Sequence, residues 1–338
     1  MNNTSNFYTA LDFLPSKHKN ALSRLPESIV SKIYEIRLRA NLPVSLSSPD
    51  GTCFVCTSGR VSQNSCADML YSSAGDIDYV FNAACMHSVY SHQEQIAGGY
   101  VITPKGHRIG ICGTAVISGG EVSNIREISS LNIRIAREIK TAGRALLPVF
   151  ASCSGGLLIS GAPACGKTTA LRDLVRRISS GEAGGGRRVT VIDERGEIAA
   201  VHNCVPQYDI GPNTDVISAV GKAEGIMMAL RSMSPDVIAF DEIGSRGEMS
   251  ALRQSLNAGV RVIATIHAGS LHQLMLRPQM RQIIKSGAFS RIVQLSGRGA
   301  GSHVEEVYDL EENYAEAYRS SGNYIIYDGH RGNACQRA

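Results

Sequence analysis

The residues best suited to chemistry lie in one run, Gly161-Ala162-Pro163-Ala164-Cys165-Gly166-Lys167-Thr168, which fits the pattern G-x-x-x-x-G-K-[ST]. A loop of this kind binds phosphate. Its glycines let the backbone wrap the anion with N–H groups, and the N-terminus of the next helix adds a favourable dipole. Lys167 is expected to reach the β- and γ-phosphates and the Thr168 hydroxyl to hold Mg2+, with Thr169 ending the cofactor-binding run. Further on, Pro235-Asp236-Val-Ile-Ala-Phe240-Asp241-Glu242 is an apolar stretch closed by two acids. Asp241 is the expected second magnesium ligand. Glu242 is placed to orient or deprotonate an attacking water, the role that separates P-loop hydrolases from P-loop binders. On its own an Asp-Glu pair at a strand end reads as a helix cap. Beside a phosphate loop it reads as a site for ATP and Mg2+.

These groups work only if the chain positions them, the loop after a strand and before a helix. Leu157-Leu-Ile159 supplies the strand and the amphipathic run Thr169–Ile178 the helix. Short apolar strands are expected at Gly156–Ser160, Val189–Asp193, Val237–Asp241 and Val260–His267, alternating with helical stretches. That alternation is the pattern of a parallel sheet with crossover helices. The strand Val189–Asp193, followed by Glu194 and Arg195, falls between the two motifs in sequence. With an adjacent catalytic Glu, it points to the RecA-like and AAA-like branch, the motor of a ring-former. Gly259–His267 ends in a polar pair where open parallel sheets meet their ligands. His267 is therefore a candidate γ-phosphate sensor, the alternative being a solvent-facing cap. Ring ATPases commonly set a neighbour's arginine against the transferring phosphate, worth about 10³–10⁵ in rate. Arg195, Arg231 and Arg277 are candidates, and each could equally be an ordinary surface arginine.

A chain of 338 residues exceeds what one core usually fills, so two domains are expected: an α+β domain over 1–142 and a RecA-like P-loop domain over 143–338. The polar Arg137–Arg144 stretch is the candidate junction. In the first part, the spacing of Ser28–Arg39 predicts a helix. Pro43–Val55 reads as extended segments broken by a Ser-Pro-Asp-Gly turn, and Tyr100–Val122 as a meander continued by Asn132–Ile135. With 43% hydrophobic and 19% charged residues the composition is that of an ordinary globular protein. The net charge of +4 is spread along the chain, there is no Trp, and 6% aromatics form no stacking platform, so no nucleic-acid-binding module stands out. No run approaches the roughly 18 apolar residues of a membrane span, and the start lacks a secretory pattern. A cytoplasmic chain is expected. Of nine cysteines, only Cys53 and Cys56 form a C-x-x-C, in a strand-like run without a second pair at zinc spacing. Most should be reduced, buried thiols.

At this point the chain resembles the stage III sporulation protein AA family, bacterial sporulation ATPases similar to the motors of type II and type IV secretion. The resemblance rests on Gly106–Ile111, Ile128–Ile135, Cys165–Asp173, Val191–Arg195, Lys222–Met228 and Leu230–Pro235. It implies a homohexameric ATPase on the mother-cell side of the forespore, peripheral at the membrane through membrane proteins of one sporulation channel. It also implies that Asp193-Glu194-Arg195 is an acidic box and Thr265-Ile266-His267 a histidine box, both near nucleotide. Two departures stand out. Asp241 precedes Glu242 where many secretion motors have Gly-Glu, which favours a more conventional magnesium site. Ala164-Cys165 replaces part of a common Pro-Gly-Cys and should be harmless, because side chains there point away from the phosphates. Competing readings are a nucleic-acid-directed ATPase and a nucleotide-gated scaffold with little turnover.

Overall fold

The computed structural model describes residues 3–64, 66–297 and 303–310. The chain divides into two units, Met1–Glu138 with Ala200–Tyr208, and Ile139–Ala199 with Asp209–Ala338. The chain therefore passes between units three times. The boundary drawn from sequence at 142/143 falls in the turn ahead of the second unit's first helix, and its end at 338 lies outside the described residues.

Period-two alternation builds the first unit. Its strands are β1 (Glu35–Arg39), β2 (Leu42–Pro43), β3 (Ser45–Ser48), β4 (Gly51–Val55), β5 (Val61–Ser62), β6 (Tyr71–Ser72), β7 (Tyr100–Ile102), β8 (Arg108–Ser118) and β9 (Glu121–Arg134). Seven form an antiparallel sheet in the order β5-β4-β3-β1-β9-β8-β7, and β2 pairs with β6. The helix expected over Ser28–Arg39 is not formed. Helix α3 (Glu27–Val30), which follows α1 (Asn3–Ala10) and α2 (Ser16–Leu22), stops before Ser31. The remainder becomes β1, whose Ile36 and Leu38 alternate into the core between β3 and β9. Helix α4 (Ala74–Ala84) starts at a capping box in which Ser73 and Asp76 satisfy each other's backbone N–H, and α5 (Gln93–Ala97) leads into β7. Phe7, Leu22, Ile36, Leu46, Ile77 and Ile133 meet in one apolar core. The expected meander is present, turning at Gly119-Gly120. Cys53 lies in β4, and Cys56, just beyond it, is buried with its Sγ 3.5 Å from that of Cys66.

The second unit reads as continuous apolar strands. Its strands are β10 (Gly156–Gly161), β11 (Val189–Asp193), β12 (Thr214–Ser218), β13 (Val237–Phe240), β14 (Arg261–His267), β15 (Phe289–Ser296) and β16 (His303–Asp309). The sheet order is β12-β11-β13-β14-β10-β15-β16, parallel except for the antiparallel edge β16. All residues of β10, β11 and β13 are buried, as a parallel sheet covered on both faces requires. The helices are α6 (Leu146–Ala151), α7 (Lys167–Ser179), α8 (Lys222–Ser232), α9 (Arg246–Asn257), α10 (Leu271–Leu276) and α11 (Pro278–Lys285). All four strands expected here form within a residue or two of their expected limits. Order in the sheet differs from order in the chain. The strand lying between β10 and β13 in the sheet is β14, whereas β11 lies on the far side of β13. Crossover connections decouple position in the sheet from position in the chain. Among the described residues, no helix is long and apolar enough to cross a membrane.

Candidate nucleotide site

The site is assembled at the carboxyl ends of β10, β13 and β14. Gly161 closes β10 between His267 of β14 and Leu295 of β15. A Cβ on Gly161 would sit 2.4 Å from Cys165 Sγ and 2.9 Å from the Leu295 carbonyl, so only glycine fits this approach. The loop then turns through two left-handed residues, Ala164 at φ 62° and Gly166 at φ 88°, and Gly166 is the N-cap of α7. Cys165 is buried under the loop. The N-terminal N–H groups of α7 and the loop amides form the kind of cradle that favours a phosphate.

Lys167, the first residue of α7, is 5% exposed. Its Nζ donates to the carbonyls of Gly161 at 3.0 Å and Ala162 at 2.8 Å and lies 3.0 Å from His267 Nδ1. Burial pushes the Lys167 ammonium below the ordinary lysine value, while Cys165, Asp241 and Glu242 pull the other way. A lysine ammonium only donates, so His267 Nδ1 accepts and the ring proton sits on Nε2. That nitrogen lies 4.0 Å from Glu242 Oε1. Thr168 Oγ1 donates to Asp241 Oδ2 at 2.6 Å. The other Asp241 oxygen receives the Thr265 hydroxyl, and Thr265 Oγ1 accepts the Glu242 N–H at 2.9 Å.

Glu242 stands at the turn after β13 with φ 54° and a half-exposed side chain. Its carboxylate is 3.2 Å from Arg195 Nη1. Thus Lys167, Thr168, Asp241, Glu242, His267 and Arg195, singled out separately in the sequence, form one cluster. Pro163 and Ala164 are exposed on the loop, and Thr169 is half-buried in the first turn of α7. Arg195 meets Glu242 of its own chain. Arg231, at the end of α8, and Arg277, before α11, are exposed, and no described residue pairs with either side chain.

The acidic box divides in two. Asp193 is 3% exposed and accepts the backbone N–H groups of Glu197, Ile198 and Ala199 at 2.8, 3.1 and 2.8 Å. These three bonds hold the loop. Arg172 of α7 grips the same loop, donating to the carbonyls of Ile198 at 2.7 Å and Glu197 at 2.6 Å. Glu194 instead pairs with Lys222 at 3.0 Å, and Lys222 also lies 3.7 Å from Glu248. A small cavity is lined by Glu194, Arg195, Glu197, Lys222, Asp241 and Glu242.

The family described as "Sporulation stage III, protein AA" matches residues 14–314. The chain belongs to that family. Stage III sporulation protein AA of Bacillus subtilis (strain 168) is 37% identical over 304 residues, 89% of this chain and 95% of the relative. The uncharacterized protein ycf45 of Cyanidium caldarium is 30% identical over 159 residues, 46% of each chain. Among solved structures, the ATPase DotB of Legionella pneumophila matches with a TM-score of 0.54 at 14% identity, over 90% of this chain and 82% of that one. The pilus retraction motor PilT, solved with bound ADP, matches at 0.52 and 16%, over 85% and 84%. These likenesses show that the chain has the RecA-like P-loop fold that DotB and PilT share.

Two contributors, Arg172 and Lys222, were not singled out from the sequence, and Thr265 was named only as part of the polar pair and the histidine box. Thr265 carried a signal of its own, a hydroxyl within an otherwise apolar central strand, which needs a partner when buried. Arg172 and Lys222 had none, because helical arginines and lysines are usually solvated.

Proposed function

We propose that the chain is a Mg2+-dependent ATP hydrolase working as a ring oligomer. The observation that carries this reading is the convergence of Lys167, Thr168, Asp241 and Glu242 at one mouth of the sheet, with Thr168 and Asp241 oxygens 2.6 Å apart. A hydroxyl and a carboxylate are the hard oxygen donors that Mg2+ takes alongside phosphates and water. Thr168 and Asp241 would hold the ion, which when bound neutralises charge between the β- and γ-phosphates.

The chain's own residues have distinct parts. Loop amides from Gly161 to Thr169 and the start of α7 bind the phosphates, and Lys167 contributes a buried cation to them. Glu242 faces solvent enough to meet a water, and orients it or takes its proton. His267 bridges Lys167 and Glu242, so it can register the γ-phosphate and adjust the carboxylate. Arg195 holds Glu242 within its own subunit, which leaves Arg231 and Arg277 as the candidates to act across an interface. The family relation supports a homohexamer on the cytoplasmic side of a membrane, working with membrane proteins of a sporulation channel.

The test is ATP hydrolysis against protein and Mg2+ concentration for the parent and Glu242→Gln. The expected result is a Mg2+-dependent rate that rises cooperatively with protein, ignores single-stranded DNA and RNA, and falls by about 10²-fold or more in the variant. A variant as fast as the parent would remove Glu242 from the reaction.

A further inference from the structure

Glu242 occupies the left-handed region at φ 54°, where a residue with a Cβ is strained by about 1–2 kcal/mol. Such a conformation persists only where the surroundings determine it. Here one residue, Thr265, supplies both backbone N–H partners at the turn. Thr265 lies in β14, immediately beside β13, and is 1% exposed. Its hydroxyl receives the Glu242 N–H at 2.9 Å and bonds Asp241 Oδ1, while its carbonyl receives the Ile243 N–H at 2.9 Å. A threonine hydroxyl has one proton. Because the backbone N–H must donate to the oxygen, that proton goes to the Asp241 carboxylate, and the direction of both bonds is set. The second Asp241 oxygen is then left to Thr168, and the left-handed turn aims the Glu242 carboxylate toward Arg195 and His267.

We propose that Thr265 is the positioning residue of the site: buried from solvent, it acts by locking Asp241 and Glu242 into one mutual geometry. The proposal rests on the hydrolytic reading above and names the group that makes those two acids act together. Thr265→Val keeps the shape and removes both hydroxyl bonds. Thr265→Ser keeps the bonds and removes a methyl group. Thr265→Ala, compared with Thr265→Ser, isolates the hydroxyl without the bulk of valine if the valine variant fails to fold.

Turnover, affinity for a fluorescent ATP analogue and half-saturating Mg2+ are measured on the full chain, together with amide hydrogen exchange at residues 241–243 without nucleotide. A displacement near 1 Å at a reacting group costs about 10²-fold in rate. Thr265→Val, or Thr265→Ala against Thr265→Ser, should lose about that much in kcat and need more Mg2+, with analogue affinity within about threefold of the parent. Exchange at Glu242 and Ile243 should quicken. Thr265→Ser should retain the parent's kcat within about threefold. Equal kcat with and without the hydroxyl, or equal losses in the serine and alanine variants, overturns the proposal. A parent without ATPase activity removes the hydrolytic reading instead, and the exchange measurement then decides the positioning role by itself: faster exchange supports it and unchanged exchange overturns it.

Discussion

Replacing Asp193 with alanine should release the loop that links β11 to the rest of the chain. The carboxylate accepts three backbone N–H groups at 2.8, 3.1 and 2.8 Å and is 3% exposed. When it is removed, Glu197, which is half-buried, can turn its N–H to water, but Ile198 and Ala199 are fully buried and cannot do so in place. A hydrogen bond to a charged acceptor contributes about 1.5–3 kcal/mol, so the two buried donors set a loss of about 3–6 kcal/mol. Opening of the loop recovers part of this, which leaves a net destabilisation of about 3 kcal/mol. Asp193→Asn keeps one acceptor oxygen and should lose about half as much. Urea unfolding followed on both variants gives the change from the midpoint and slope, and hydrogen exchange at residues 197–199 reports the loop directly. The effect should reach the phosphate loop, because Arg172 of α7 holds the carbonyls of Glu197 and Ile198. Stability within about 0.5 kcal/mol of the parent, with unchanged protection at 197–199, would refute the reasoning. Loss of nucleotide affinity alone, with stability intact, would assign Asp193 to the nucleotide directly.

Two further outcomes follow from single residues. His107 is fully buried, its Nδ1 accepts the Ala136 N–H at 3.1 Å, and its Nε2 lies 2.9 Å from Thr9 Oγ1, so the ring is neutral. Burial pushes it from 6.5 down to about 4. The folded value is below the unfolded one, so protons favour the unfolded chain: this contribution, about 3 kcal/mol, is complete above pH 6.5 and is lost as pH falls toward 4. Urea unfolding across that range should show the loss in the parent and a flatter profile in His107→Gln; identical slopes would refute it. Ala164 sits at φ 62° in the phosphate loop, where its Cβ is strained, so the departure from Pro-Gly-Cys bears on the backbone even if the side chain points away. Ala164→Gly should relieve about 1 kcal/mol there, and urea unfolding should show a higher midpoint, with a lower midpoint contradicting the strain argument.

How far the sequence could be read depended on the range of each interaction. The phosphate loop, the strands of the parallel sheet and the antiparallel meander are encoded by neighbours a few residues apart, and they stand where local pattern put them. The stretch Ser28–Arg39 failed because five alternating residues, Glu35–Arg39, also fit a helical stripe; only pairing with β3 and β9 decides for the strand. The segment Ala200–Tyr208 carries no periodic signal at all. Its place in the first unit depends on contacts across about a hundred residues of chain, such as the Lys105 N–H to Gln207 Oε1 bond at 2.8 Å and Tyr208 Oη to the Gly106 carbonyl at 3.3 Å.

The cluster around Glu242 shows the same division. Residue types announced a cation, a carboxylate pair and a histidine, but whether Arg195 serves its own subunit or a neighbour depends on where β11 lies relative to β13. The two strands are adjacent and parallel, so the residues just past their ends emerge side by side, and the Arg195 guanidinium reaches Glu242 at 3.2 Å. An arginine already ion-paired to Glu242 is suited to hold that carboxylate and poorly suited to leave it for another subunit's phosphate. If a residue acts across an interface, Arg231 at the end of α8 and Arg277 before α11 are the better placed to do so, since neither side chain pairs with any of the described residues.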